Sequence, residues 1–175
     1  MNKVLLIGQA NVGKSVLFNR LAGGGATVSN YPGTTVDFDK GHMMVEGKRI
    51  EVIDVPGAFS LEPKDRAEEV AVRMLEEEKG ATVVCVIDSS KVERGLYLAL
   101  ELIERGYPVI IDLNMADAAK NLNIRIDTKR LEDILGVPVV TTVATRGEGL
   151  KELVSRMKEA KPVGLKEIIK KAGGG

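Results

Sequence analysis

The chain has 175 residues, the length of one domain that buries roughly 70% of its unfolded surface. Its 25 basic and 25 acidic residues cancel and 44% of it is hydrophobic, which describes a globular chain with no field to attract nucleic acid or an anionic membrane. One cysteine excludes an internal disulfide framework, and with no signal-peptide pattern or ~20-residue apolar span the sequence reads as cytoplasmic, with no direct membrane insertion.

The first apolar run, residues 4–7, predicts a short strand ending at Gly8, and Leu17, Phe18 and Leu21 follow at helical spacing. After Gly23-Gly24-Gly25 comes a polar, glycine-bearing stretch, residues 29–35, expected as a loop. Mobility, or a change between ligand states, is expected over residues 24–35 and 57–66. Residues 36–45 alternate as an edge strand with one wet face does, and RIEVID, residues 49–54, predicts a compact strand. Ala67, Val70, Ala71, Met74 and Leu75 predict a helix with Gly80 at its C-terminal cap. Residues 81–88 form the next strand, with Cys85 buried inside it. Ser90 with Glu93 has the spacing of a capping box before a helix through Leu96, Leu100 and Ile103 that Gly106 can end. A strand at 108–113, a helix through Leu131, Ile134 and Leu135 ending at Gly136, and a strand at 137–143 follow. The last apolar stripe is Leu150, Leu153, Val154 and Met157. Six strands alternating with helices imply right-handed crossovers, hence an α/β fold with a mostly parallel six-stranded sheet and helices on both faces. Residues 1–160 make this domain. Residues 161–175 begin with the helix-stopping Pro162, are too short for a domain, and are expected to be a linker or the start of a removed C-terminal segment.

In such folds ligands sit at the carboxyl ends of the strands, and the chemistry-bearing motifs fall there. Residues 8–15 read GQANVGKS, the phosphate-loop pattern, placed between a strand and a helix as the pattern requires. Gly8 and Gly13 let the backbone curl so that amides from Asn11 to Val16, with Val12 among them, face phosphate oxygens at a helix N-terminus. Lys14 would reach the β- and γ-phosphates and the Ser15 hydroxyl would ligate Mg²⁺. DVPG at 54–57 closes a neighbouring strand. Taken alone it is a surface turn, but in this position Asp54 can hold the Mg²⁺ shell and the Gly57 amide can meet a γ-phosphate. A threonine of the 29–35 loop could complete that shell, although a plain connection would serve those residues equally well.

DLNMAD, residues 112–117, follows the strand at 108–113. Asp117 can accept from the guanine ring N–H and amino group together, a pair that adenine cannot offer. Asn114 would hold neighbouring elements and the base edge, and Met115 would cover the base plane where such motifs usually have lysine. Beyond the next strand, Val143, Ala144 and Thr145 stand where a backbone N–H is needed for guanine O6. Ala58 follows the DVPG motif in place of the water-orienting glutamine of Ras-like enzymes, which favours a binding module with negligible turnover. The lone His42 reads as structural, and no Cys/His/Asp cluster suggests an iron site.

With these motifs the sequence resembles the G domain of the FeoB family, the ferrous iron transport protein B of bacteria and archaea, over residues 3–158. NYPGTTV at 30–36 is similar to that family's switch I, with its Mg²⁺ threonine at Thr35. DVPGAFSL at 54–61 is similar to switch II. The long run VIDSSKVERGLYLALELIERGYPVIIDLNMAD carries the likeness beyond motifs shared by all GTPases, and Met115 is common in that family. Gln9-Ala10 replaces its usual Asn-Pro, and the stretch 61–69 is short. The resemblance implies a small G-protein-like P-loop NTPase that binds GTP and GDP with Mg²⁺. It further implies slow GTP hydrolysis, with Lys14, Thr35, Asn11 and Gly57 in catalytic roles and K⁺ held at Asn11. The implied partner is a membrane transporter domain, in the same full-length protein or a separate chain, which would place this domain at the cytoplasmic face of the cell membrane. A homo-oligomer formed through the full-length protein is also possible on this reading. A potassium-stimulated GTPase of ribosome or RNA maturation shares several motifs, but the neutral charge speaks against a nucleic-acid partner.

Overall fold

In the computed structural model, which describes residues 1–173, the apolar runs become the centre of a sheet. The strands are β1 (Lys3–Gly8), β2 (Thr27–Asn30), β3 (Asp37–Val45), β4 (Lys48–Asp54), β5 (Thr82–Asp88), β6 (Val109–Asn114) and β7 (Val139–Thr141). The helices are α1 (Lys14–Ala22), α2 (Arg66–Glu77), α3 (Val92–Glu104), α4 (Ala116–Asn121), α5 (Thr128–Leu135), α6 (Leu150–Arg156) and α7 (Leu165–Ala172). β4, β1, β5, β6 and β7 run parallel in that order, while β3 pairs antiparallel with β4 and β2 with β3. The parallel strands carry few polar residues because both of their faces are covered. Leu5 and Ile7 of β1 point into the core shared with α2, α3 and α5, while Val4 and Leu6 point into the core shared with α1 and α6. This arrangement brings the loops after β1, β4, β5, β6 and β7 to one edge.

Several expectations are corrected. The sheet has seven strands, not six, because residues 27–30 form β2, which runs into the stretch 29–35 expected as a loop. β2 is polar and largely exposed, so it carries no apolar alternation, and its ladder with β3 alone defines it. β3 is therefore an inner strand rather than the edge. Ser90 does not cap α3. Asp88 instead accepts from the Ser90 amide at 2.8 Å and its hydroxyl at 2.7 Å, closing a 3-10 turn over Ser89–Lys91. α2 ends at Glu77, ahead of the expected Gly80 cap. α4 was not foreseen, being six residues long and too short for periodicity. The strand expected at 137–143 is confined to Val139–Thr141. In the tail, where Leu165, Ile168 and Ile169 recur at helical spacing, α7 forms and buries Ile168 in the core beside α5; Gly174 and Gly175 of that tail lie outside the described residues. Among the described residues no helix is long and apolar enough to cross a membrane.

The β3–β4 hairpin turns through Glu46 and Gly47, both at positive φ, 50° and 78°, in the two-residue form that matches strand twist. On the other side of the sheet, α3 lies so close to β5 that a Cβ on Gly95 would stand 2.4 Å from Ile87 Cγ2 and 2.9 Å from its Cβ. Ile87 has no freedom there, since it has no exposed surface. Gly95→Val should therefore lower stability by about 2–3 kcal/mol through overpacking, measured as a fall in the urea midpoint. Gly80→Ala, with open space around the new methyl, should move the midpoint by less than about 1 kcal/mol.

Candidate nucleotide site

Burial of β1 on both faces carries the chain straight to the sheet edge, where Gly8 packs against β5. A Cβ on Gly8 would stand 2.5 Å from the Val86 carbonyl, so only glycine fits. The loop then turns through Asn11 (φ 63°) and Gly13 (φ 83°), and α1 begins at Lys14. A cleft of about 340 Å³ opens here, lined by Gln9, Ala10 and Asn11, by Gly13 to Val16 and by Gly57. The DVPG segment runs alongside the loop: the Val55 amide donates to the Leu6 carbonyl at 3.0 Å and the Ala58 amide to the Gly8 carbonyl at 3.0 Å. Lys14 Nζ forms a close ion pair with Asp54 Oδ1 and also donates to the Val55 carbonyl at 2.6 Å. Ser15 Oγ donates to Asp54 Oδ2 at 3.1 Å. A hydroxyl and a buried carboxylate thus stand side by side, two hard oxygen donors suited to a divalent cation.

The expected base-binding residues lie at the same edge. Asn114 Nδ2 donates to the Val12 carbonyl at 3.0 Å, and its Oδ1 accepts from the Ala144 amide at 3.0 Å. Met115 takes a left-handed conformation, and its methyl lies 3.5 Å from where a Cβ on Gly13 would be. Asp117 is half-buried, with Arg146 at 3.5 Å. The Val143 amide donates to the Glu148 carbonyl at 3.1 Å, so the amides of Val143 and Ala144 are both committed within the protein. The segment is held from α1 by Arg20, which donates to the carbonyls of Ala144 at 3.1 Å and Thr145 at 2.5 Å.

Thr35 stands apart from this constellation, exposed and not among the residues lining the cleft. Its neighbour Thr34 is the bonded one, donating to the Tyr31 carbonyl at 2.9 Å and accepting from the Val36 amide at 3.1 Å. The Tyr31 ring is buried in the core and its hydroxyl donates to Glu77 of α2, a bond that raises the phenol's pKa. His42 is exposed on β3 beside Arg49, and no cluster of His, Cys, Asp and Glu able to hold a metal occurs among the described residues.

A family model described as ferrous iron transport protein B matches residues 2–157. The chain belongs to that family. The Fe(2+) transport protein A/Fe(2+) transporter FeoB fusion protein of Porphyromonas gingivalis is 42% identical over 153 residues, which are 86% of this chain and 18% of that protein. The chain thus spans about a fifth of the length of the curated FeoB relatives it matches. The crystal structure of the G domain of T. maritima FeoB superposes with a TM-score of 0.84 at 41% identity, covering 91% of this chain and 98% of that one. The T. maritima FeoB cytosolic domain in its GMPPNP form gives 0.85 at 41% identity, over 91% of this chain and 63% of that one.

Several residues of this FeoB-family site have no marker in the motifs. Arg20 acts on it from far along the chain, and Thr142 Oγ1 lies 3.2 Å from Asn114 Oδ1; no spacing announces either. Glu68 had a signal: Asp65 caps α2 by accepting the Glu68 amide at 2.8 Å, so Asp65 and Glu68 have capping-box spacing. The Glu68 carboxylate, itself buried, accepts from the amides of Phe59 at 3.0 Å and Lys64 at 2.8 Å. Glu101 of α3 accepts the Leu61 amide at 2.8 Å and Arg105 donates to the Leu61 carbonyl at 3.1 Å, so α2 and α3 both hold the segment after DVPG.

Asn114→Ala would leave the Val12 carbonyl and the Ala144 amide without a partner, at about 1–3 kcal/mol each. It should lower the stability of the nucleotide-free protein by about 2–4 kcal/mol in thermal melts. Asp117→Ala, which loses only a long, half-exposed ion pair, should change it by less than about 1 kcal/mol.

Proposed function

We propose that the chain is a guanine-nucleotide switch that hydrolyses GTP to GDP and phosphate and regulates ferrous iron uptake by a membrane transporter region at the cytoplasmic face of the membrane. The observation that carries this is the convergence of Lys14, Ser15 and Gly57 on one cleft, with Asp54 bonded to both Lys14 and Ser15, and its tie through Asn114 to the loop bearing Asp117. Lys14 leaves Asp54 for the β- and γ-phosphate oxygens, and the loop amides close around them. Gly57 presents its amide to the γ-phosphate from the rim, where a Cβ would lie in ordinary contact with the Gly8 carbonyl at 3.5 Å and the Ala10 nitrogen at 3.7 Å. Asp117 exchanges its long pair with Arg146 for the two guanine N–H donors, and the Thr145 amide is the donor assigned to guanine O6. Ser15 and Asp54 are the residues to hold Mg²⁺, with Thr35 joining when the loop after β2 folds over the cleft; the ion supplies charge neutralisation between the phosphates. Asn11, exposed at the cleft rim, is the residue to hold K⁺, which supplies the positive charge an arginine finger supplies elsewhere.

One observation favours a second reading, a nucleotide-binding module with negligible turnover. Ala58 has no exposed surface and its amide is bonded to Gly8, so this position offers nothing to orient a water. Single-turnover hydrolysis separates the two: release of phosphate from prebound GTP, abolished in Lys14→Ala and Ser15→Ala, supports the switch, and its absence in the unmutated protein supports the module.

Two expectations follow. GTP and GDP should bind at least tenfold more tightly than ATP and ADP in calorimetric titration, since a carboxylate left without its guanine donors costs about 1.5–3 kcal/mol; Asp117→Asn should turn the preference toward xanthine nucleotides. Hydrolysis should run several-fold faster in KCl than in NaCl at equal ionic strength, and Asn11→Ala should erase that difference while GDP binding survives.

A further inference from the structure

Beneath the base loop, β6 carries an acid that neither the phosphate nor the guanine contacts use. Asp112 has no exposed surface and stands in register between Val86 of β5 and Val140 of β7. It shares its side of β6 with Ile110, and that side of the sheet is closed by Leu17 and Phe18 of α1, Leu153 of α6 and Met157 just after α6. Its Oδ1 lies 2.6 Å from Thr142 Oγ1, and its Oδ2 has no partner among the described residues. The same Thr142 oxygen is 3.2 Å from Asn114 Oδ1.

A threonine hydroxyl has one proton and here faces two oxygens. With Asp112 ionised, Thr142 gives its proton to Asp112. The Thr142 and Asn114 oxygens then face each other with no hydrogen between them, and a buried anion keeps a single hydrogen bond. With a proton on Asp112, that proton goes to Thr142 and the Thr142 proton goes to Asn114 Oδ1. One added proton reverses the first contact and turns the second into a donor–acceptor pair, so both are then satisfied.

We propose that Asp112 is held protonated in the nucleotide-bound protein and, through Thr142, orients the Asn114 amide, making it a positioning residue for the base end of the site. This rests on the guanine-nucleotide reading above. The oriented amide keeps Nδ2 on the Val12 carbonyl and Oδ1 toward the Ala144 amide, so the proton on Asp112 supports the contact between the phosphate loop and the base loop.

Among the described residues no other charge competes for Asp112; Lys158, just after α6, is paired with Glu46. Lys14 of α1 is paired with Asp54, and Arg20 of the same helix is spent on the carbonyls of Ala144 and Thr145. On α6, Arg156 is paired with Glu132 and Glu159, while Lys151 and Glu152 are exposed. On β5 the group coupled to Asp112 is Cys85, a fully buried thiol that burial pushes up to about 12, so it stays neutral. Burial itself pushes the Asp112 carboxyl up to about 7, against the opposing hydrogen bond from Thr142. If nucleotide favours the protonated form, affinity is level below pH ~7 and falls as pH rises past the carboxyl's pKa in the free protein.

The test is GDP affinity in Mg²⁺ by calorimetry between pH 6.0 and 8.5 for the unmutated protein, D112N, T142V and T142S. The unmutated protein should bind GDP at least fivefold more weakly at pH 8.5 than at pH 6.5. D112N, whose amide donates to Thr142 at every pH, should keep the low-pH affinity throughout. T142V should bind weakly at all pH values, and T142S, which restores the hydroxyl, should recover the pH dependence. Ionisation of GDP itself appears equally in D112N and is removed by the comparison. The proposal is overturned if D112N shows the same pH profile as the unmutated protein, or if it binds weakly at every pH. Failure of the unmutated protein to bind GDP at any pH would instead take the nucleotide reading down and the proposal with it. If T142V does not fold, the comparison with D112N still decides.

Discussion

The site depends on one buried amide. Phosphate-loop residues come from the end of β1 and base-loop residues from the ends of β6 and β7, and Asn114 joins them with a donor to Val12 and an acceptor for Ala144. Only a side chain with both a donor and an acceptor satisfies this. Aspartate would set a carboxylate against the Val12 carbonyl, and leucine would orphan two buried backbone groups. The bond also dictates its neighbour. A Cβ on Gly13 would stand 2.3 Å from Asn114 Nδ2, so the second glycine of GQANVGKS is required by a residue about a hundred positions away as well as by its own positive φ.

The phosphate end is organised by charge. Lys14 and Asp54 form a close, largely buried pair, which holds each side chain where a polyanion and a divalent cation would need it. A buried pair of this kind stabilises little on net, because two desolvation penalties offset its attraction. Its consequence is preorganisation. On the proposed reading an arriving phosphate would take the ammonium, and the carboxylate freed by that exchange would sit beside the Ser15 hydroxyl with no need for backbone movement.

What was legible in the sequence follows from where each signal resides. β1, β5 and β6 are covered on both faces, so their composition announces them, and the phosphate loop is contiguous in the chain. β2 is defined only by pairing, and its exposed Thr27 and Val28 show no pattern that a loop would lack. α4 is too short for a period and starts from a left-handed Met115. The supports of the site were hidden for a different reason. Arg20 reaches Thr145 across more than a hundred residues, and such a contact exists only once the parallel sheet has aligned the strand ends. Asp112 looks in sequence like one more residue of the DLNMAD motif. That it turns inward beneath Thr142 is a consequence of strand alternation, with Asn114 on the same side two residues later.

α2 has a mechanical role that its sequence does not advertise. Near its start Glu68 holds the amides of Phe59 and Lys64 in the segment after DVPG, and at its end Glu77 holds the hydroxyl of Tyr31 in the loop after β2. The two carboxylates are nine residues apart on one helix, a separation of about 13.5 Å at the usual rise per residue. Each of the two loops that would meet a γ-phosphate is therefore tied back to the same rigid element by hydrogen bonds to a carboxylate, interactions worth about 1.5–3 kcal/mol each. A ligand moves such loops only by the difference in its contacts with the two arrangements. On the proposed switch reading, for Thr35 to reach the cleft the γ-phosphate and its cation would have to supply more than the Tyr31–Glu77 tie and the burial of the Tyr31 ring hold back. GDP, lacking those contacts, would then leave the ties in place. The threshold between the two nucleotide states would on that reading be set by α2 rather than by the phosphate loop.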